Sequence, residues 1–484
     1  MRLVISALLL ILITALPLLK IGADSGLRMG MAWADEGDSG DDGDNGDDGD
    51  SDSDSSSPSD GRDTGAQSGN REGRSLNEIR GVLRGLFRTQ PAPRRVATAP
   101  APIQRPLAVS SEIITRDLSA EDTAALIAQG YTLIESVDLR SLATTAQRFF
   151  VPKGTTLEDA RIAVQALSTG EVADLNHYYR TSADQIDPAP TMPRSCEGQQ
   201  CAGLSMIGWP QDIGPMGCGA PVTLGMIDTG LNPDHEALAG ADIKVTRVAP
   251  EDYIASDSLH GTAVAALLVG NPDSRSPGLL PGLPLLAVDA FHKSAGDERA
   301  DAFTLVRALD ELSRGGAQVI NLSLAGPPND VLERTLAELD AKRGIIVVAA
   351  AGNGGPNAPP AYPAAYDSVI AVTAVDRTGK PYRRAGRGQY VELAAQGVEV
   401  WTAASVKGAR WKTGTSFAAP FVTAAAALWR QTHPEMTPSE IRAAMAETAR
   451  DLGSKGRDEI FGYGILNLGE ACPGTPPSQG SATY

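Results

Sequence analysis

Three short strings carry the chemistry of this chain: Asp228-Thr229-Gly230, His260-Gly261-Thr262 and Gly414-Thr415-Ser416-Phe417-Ala418-Ala419-Pro420. They supply a carboxylate, an imidazole and a hydroxyl. A serine hydroxyl is a poor nucleophile until a base stands within hydrogen-bond reach and a third group holds that base in one tautomer. Taken singly, Asp-Thr-Gly also reads as an ordinary turn at a strand end, and His-Gly-Thr is weaker still. The Gly-Thr-Ser-Phe-Ala-Ala-Pro string is far more specific. The order Asp, His, Ser is one of three in which this constellation recurs on unrelated folds. Together the strings predict acyl transfer of the kind that cleaves peptide bonds.

Such groups need rigid elements to hold them. Val222 to Ile227 reads as a buried strand whose carboxyl end delivers Asp228. Val319 to Leu324 and Ile345 to Val348 read as further buried strands, separated by amphipathic helical stretches at Asp301 to Ser313 and Val331 to Lys342. Apolar strands alternating with helices predict a parallel α/β sheet. Ligands of such sheets bind at the carboxyl ends of strands, where Asp228 and Asn353 would lie. Ser416 opens an Ala-rich helix running to about Thr432, and His260 opens the apolar helical run Thr262 to Val269. Both side chains would then stand at positive helix ends.

With Ala350-Ala351-Gly352-Asn353 as a fourth string, the stretch from about Val222 to Asn467 resembles the subtilisin-like serine peptidases, or subtilases. The resemblance implies a doubly wound parallel α/β sheet. It implies Ser416 as nucleophile, His260 as general base, Asp228 as its orienter and Asn353 as oxyanion donor. It also places a primary specificity pocket between Ser323-Leu324-Ala325, Ala350-Ala351-Gly352 and the stretch at Ala361-Tyr362-Pro363. Ala325 and Ala361 fall where many relatives carry glycine. Because overpacking an apolar site costs about 1 to 3 kcal/mol, a preference for small or medium P1 side chains follows. Ala263 and Phe421 stand where many relatives have histidine, both outside the chemistry. Of the other histidines, His177 falls in the segment before the catalytic region, His292 in a polar loop and His433 at a helix end. His235 is read as structural.

Composition organises the remainder. Arg2 and the apolar run Leu3 to Leu19, with Ala32-Trp33-Ala34 before Asp35, read as an export signal over residues 1–34, or as a membrane anchor if uncleaved. Residues 35–107 form an acidic low-complexity segment followed by a basic, Pro-rich linker. From Asp35 to Asp60 lie twelve acidic residues and no basic ones, −12 of the formal −17, so the acidity says little about substrates. Ser75-Leu76-Asn77-Glu78 is a capping box opening a short basic amphipathic helix within Arg71 to Arg95. Residues 108–182 run β-α-β-β-α-β, the ferredoxin-like order. Inhibitory, chaperone-like prosegments of subtilases look like this, which implies self-cleavage between about Tyr179 and Gln200. The catalytic domain follows at 183–472 and a tail at 473–484.

Cys196, Cys201, Cys218 and Cys472 in an exported chain predict disulfides, with three pairings open; one would join Cys196 to Cys201 and Cys218 to Cys472. No cysteine accompanies the histidine, so thiol chemistry has no support, and no spacing resembles a catalytic zinc site. No cofactor is required, and the structural calcium common among relatives maps to no residues here. Expected partners are protein or peptide substrates and the chain's own prosegment, with no nucleic acid and a monomeric state. The leading expectation is an exported, autoprocessed serine endopeptidase. The alternative is a surface-held interaction protein with restricted, maturation-type proteolysis.

Overall fold

In the computed structural model, residues 105–182, 201–210, 213–214, 216–404, 406–469 and 471–472 are described. The signal, the acidic segment, the basic helix, the expected self-cleavage stretch beyond Ser182, a Cys196–Cys201 pair and the tail lie outside them. The first elements are β1 (Ala108–Arg116), α1 (Ala120–Ala128), β2 (Thr132–Leu139), β3 (Thr144–Phe150), α2 (Leu157–Gln165) and β4 (Ala173–Thr181). Both helices begin on side-chain caps, with Ser119 accepting from the Asp122 amide and Thr156 from the Asp159 amide. The four strands pair antiparallel in the order β2-β3-β1-β4 over a small core of Ile113, Leu126, Phe149 and Val164.

Next come α3 (Cys201–Met206), β5 (Leu224–Asp228), β6 (Ile243–Arg247), β7 (Ile254–Ala255), α4 (Leu259–Val269), β8 (Leu285–Asp289), β9 (His292–Ser294), β10 (Asp297–Asp301) and α5 (Ala302–Arg314). The chain continues through β11 (Val319–Leu322), β12 (Leu324–Ala325), α6 (Asp330–Arg343), β13 (Ile346–Ala350), β14 (Val369–Val375) and β15 (Leu393–Gln396). It closes with β16 (Val400–Ala403), β17 (Ala409–Lys412), α7 (Thr415–Thr432) and α8 (Pro438–Thr448). Seven strands form one parallel sheet in the order β15-β14-β13-β11-β5-β8-β6.

That sheet is covered on both faces, which is why its strands read as continuous apolar runs rather than alternating ones. Leu224, Met226, Val319 and Val348 point into a core shared with α4, α7 and α8. Ile227, Ile320, Val347 and Ala349 point into the other, shared with α5 and α6. From His260 onward α4 is buried on every side, as is nearly all of α7, so both are interior helices. The fold is the doubly wound α/β sheet that the alternating pattern predicts.

Two features depart from the sequence reading. Val319 to Leu324 is not one strand: β11 stops at Leu322, and Leu324–Ala325 leaves the parallel sheet to pair antiparallel with β4. His292 is not in a loop: it is buried in β9, and β9 and β10 form a hairpin turning at Ala295-Gly296, both at positive φ. β10 pairs with β4 as well, so β4 lies between β10 and β12.

The N-terminal unit also seals the ends of two helices. Asn176 Oδ1 accepts from the Phe303 amide at the start of α5, and Asp174 Oδ2 accepts from the Asp330 amide at the start of α6. Arg116, buried, reaches Glu338 at 2.8 Å on α6. A Cys218–Cys472 disulfide, Cα atoms 5.7 Å apart, ties the catalytic region's start to its end.

Candidate functional site

β5 is an interior strand of the parallel sheet, between β11 and β8, and ends at Asp228, buried inside the protein. One Asp228 oxygen lies 2.6 Å from His260 Nδ1 and also accepts from the Thr229 amide at 2.7 Å. The local strings explain how the imidazole comes this close. Gly261 carries no side chain where a Cβ would stand 2.5 Å from the Thr229 carbonyl oxygen, so α4 can pack its first turn directly against the end of β5. The Gly261 amide donates to Thr229 Oγ1, and Thr262 Oγ1 accepts from the Asn232 amide, pinning that turn to the loop after Asp228.

Gly414 adopts φ 150° and ψ 157°, a region essentially closed to other residues, and its amide donates to the Gly397 carbonyl. This turn sets Thr415 and Ser416 at the head of α7, where first-turn amides have no partner inside the helix. Below them a buried hydrogen-bond chain runs from Thr423 Oγ1 to Asn321, from Asn321 to Ser323 Oγ, and from Ser323 Oγ to the Ser416 carbonyl. Ser416 Oγ donates to the Ser323 carbonyl at 3.1 Å, and His260 Nε2 has no hydrogen-bond partner among the described residues.

Asn353 follows β13. Its side-chain oxygen accepts from the Thr415 amide and hydroxyl at 3.2 and 3.1 Å, which turns its NH2 toward the head of α7. Both Asn353 Nδ2, at 2.6 Å, and the Ser416 amide, at 3.1 Å, donate to one oxygen, the carbonyl of Ser182. Ser182 is 4% exposed, and its amide donates to the Ser323 carbonyl at 3.0 Å. Upstream of it, Thr181 and Arg180 pair with Leu324 and Ala325, and Tyr179 and Tyr178 with Ala300 and Asp301. Two preorganised donors converging on one carbonyl oxygen make the arrangement that stabilises an oxyanion.

Of the residues expected to line a specificity pocket, Ser323 accepts from the Ser182 amide through its carbonyl and Leu324 pairs with Thr181. Ser323, Leu324, Ala351 and Gly352 are buried. A Cβ built on Gly352 would stand 2.8 Å from the Ala361 methyl and 3.8 Å from that of Ala325, so both methyls crowd the same small space. Gly326 pairs with Tyr362 in an isolated antiparallel bridge. Among the other histidines, His235 is buried and accepts the Ala237 amide as the cap of a short 3-10 helix. His433 caps the end of α7, and His177 stands by Asn329. Among the described residues no three His, Cys, Asp or Glu side chains gather to hold a metal ion.

Sequence reasoning missed three contributors. Thr415, which aims the Asn353 amide, lay inside a quoted string but with no role attached. Lys412 stands 5.9 Å from the Phe417 ring, itself 5.6 Å from the His260 ring. Burial and the charge of Arg410 push its ammonium down to about 8. Ser182 gave no local signal, because its position depends on strand pairing with residues far along the chain.

Residues 219–464 match the profile of the Subtilase family. Subtilisin DY from Bacillus licheniformis is 32% identical over 258 residues, covering 52% of this chain and 90% of that protein. The minor extracellular protease Epr from Bacillus subtilis is 29% identical over 250 residues, 51% of this chain and 38% of the relative. In fold, the crystal structure of fervidolysin from Fervidobacterium pennivorans aligns with a TM-score of 0.63 at 22% identity, over 78% of this chain and 63% of that one. The chain thus spans almost all of one relative but well under two thirds of another. With just over half of its length inside the family profile, the chain belongs to the subtilase family of serine endopeptidases.

Proposed function

We propose that the protein is an exported endopeptidase that cuts its own chain after Ser182, working through Asp228, His260, Ser416 and Asn353, with residues 108–182 as an intramolecular inhibitor. The observation that carries this reading is the double donation from Asn353 Nδ2 and the Ser416 amide to the Ser182 carbonyl oxygen. That carbonyl lies where a substrate's scissile carbonyl belongs, at the head of the nucleophile's helix. Export rests on the apolar run Leu3 to Leu19 and on the likeness to a relative named as extracellular.

The chemistry follows from the chain's own groups and needs no cofactor. Ser416 Oγ leaves the Ser323 carbonyl, turns to His260 Nε2 and attacks the Ser182 carbonyl as the imidazole takes its proton. Asp228 fixes Nδ1 as the protonated nitrogen and stabilises the imidazolium. Asn353 and the Ser416 amide hold the developing negative charge. The imidazolium then protonates the leaving amine, and water, activated by His260, releases the acyl group. Protein and peptide substrates in trans follow the same track, with a serine-sized side chain at P1. The methyls of Ala325 and Ala361 supply the crowding that enforces this.

The test is the intact mass of wild type beside Ser416→Ala, expressed and purified alike. Wild type cut after residue 182, with the variant uncut there, is the expected result. If both remain intact at that bond, self-cleavage there is wrong. For P1, a scanned peptide series on the processed enzyme should favour Ala and Ser, and Ala325→Gly or Ala361→Gly should raise turnover of P1 Leu and Phe. Wild-type preference for Phe or Tyr would remove the small-pocket reading.

A further inference from the structure

We propose that Asp297 selects substrates with a basic residue three positions before the cut, at P3. The inference rests on reading β4 and Ser182 as occupants of the substrate track; it goes beyond that reading in naming a side-chain requirement and the residue that imposes it.

With Ser182 at P1, Thr181 is P2, Arg180 is P3 and Tyr179 is P4. Tyr179 is fully buried, its hydroxyl donating to the Pro327 carbonyl, and Gly326 makes room for its ring. Arg180 is held differently. Its Nε donates to Asp297 Oδ1 at 2.8 Å and its Nη2 to Asp297 Oδ2 at 2.6 Å, a two-point fork that only a guanidinium can make. Nη2 also donates to the Pro106 carbonyl. Asp297 opens β10, the strand that pairs with the track, so the carboxylate stays at the groove's edge whatever peptide occupies it.

With β4 in the slot Asp297 is 8% exposed, and this cover by the bound strand makes its charge count for more than that of an acid on an open surface. Its ionisation is favoured against the opposing effect of burial, through the hydrogen bonds and charges of Arg180 and then Arg299. Arg299 meets Oδ2 at 3.1 Å, and Arg105 lies 3.9 Å from Oδ1. A carboxylate has acceptor positions for both guanidiniums, so Arg299 leaves the fork available to P3. A glutamate at P3 would instead face a buried like charge.

The experiment uses the enzyme obtained by self-processing of the whole chain and quenched peptides carrying Tyr-Arg-Thr-Ser before the cut, with Arg, Gln or Glu at P3. Wild type should show kcat/KM about tenfold higher for Arg than for Gln, the scale of one charge-assisted hydrogen-bond pair, with Glu lower again. Raising salt should narrow the spread, and Asp297→Asn should collapse it. Equal rates for all three P3 residues in wild type would overturn the proposal, and this needs no variant to fold. If no peptide is cut, and Ser416→Ala behaves as wild type does, the peptidase reading itself fails and the P3 proposal falls with it.

Discussion

At the scale of residues, the site is an exercise in aiming a few polar atoms. Asn353 is the clearest case, because its amide does two jobs in opposite directions: its oxygen is fixed by Thr415 so that its nitrogen faces the Ser182 carbonyl. Asn353→Ala should cost about 3 to 4 kcal/mol of transition-state stabilisation, a range that comes from the same kind of donor in subtilisin, a relative of this chain. The loss should fall on kcat, since the donor's hydrogen bond strengthens as charge develops on the oxygen. Thr415→Val, which keeps the amide contact but removes the hydroxyl, should lower kcat by a smaller factor and leave KM nearly unchanged. A raised KM with kcat unchanged in Thr415→Val would place Thr415 in binding rather than in aiming. The strings naming Asp228, His260 and Ser416 were legible because each is local: a strand end, a helix start, a helix head. Thr415's task was not, because it depends on where Asn353 arrives from β13.

Elements show the same division between local and distant information. The ferredoxin-like unit and the parallel strands were readable from periodicity, since each buries a face set by its own residues. The β9–β10 hairpin was not, for His-Lys-Ser-Ala-Gly-Asp-Glu-Arg carries no apolar alternation and its ladder partner lies more than a hundred residues earlier. The contact between β4 and the head of α6 makes a pH prediction. Burial pushes Asp174 from an ordinary 3.8 up to about 6 and pushes His177 from 6.5 down to about 4. The raised acid favours docking below 3.8 and loses that contribution as pH rises through about 6. The lowered base favours docking above 6.5 and loses its contribution as pH falls toward about 4. Between these limits the docked unit carries one proton on Asp174 and the released one carries it on His177, so the two effects cancel. Retention of the cut prosegment on gel filtration should therefore change little from about pH 4 to 7 in wild type. In His177→Asn retention should strengthen on acidification, and in Asp174→Asn it should weaken. Parallel pH profiles in both variants would show that these groups do not govern docking.

For the molecule as a whole, two devices hold distant parts of the chain together. The Cys218–Cys472 bond closes a separation of 254 residues across the catalytic region. In the loop-entropy account a closure of that length is worth about 5 kcal/mol at most. Cys218→Ser with Cys472→Ser should thus lower the denaturation midpoint and hasten inactivation on heating, while kcat/KM of the intact fraction stays as it was. An unchanged midpoint would mean that contacts such as Gln431 with the Met216 carbonyl already hold the ends together. The second device is the slot between β10 and β12, filled here by β4. In the proposed peptidase, a chain that replaces that strand must offer a free backbone edge to β12 at P2 and P3 and to β10 at P4 and P5, and its P1 amide must reach the Ser323 carbonyl. A chain wound into a helix, or already paired inside another sheet, has no such edges to offer. The proposed peptidase would thus screen its targets for local unfolding before it reads any side chain, and a compact protein should survive beside it until heat, reduction or mechanical strain loosens a segment.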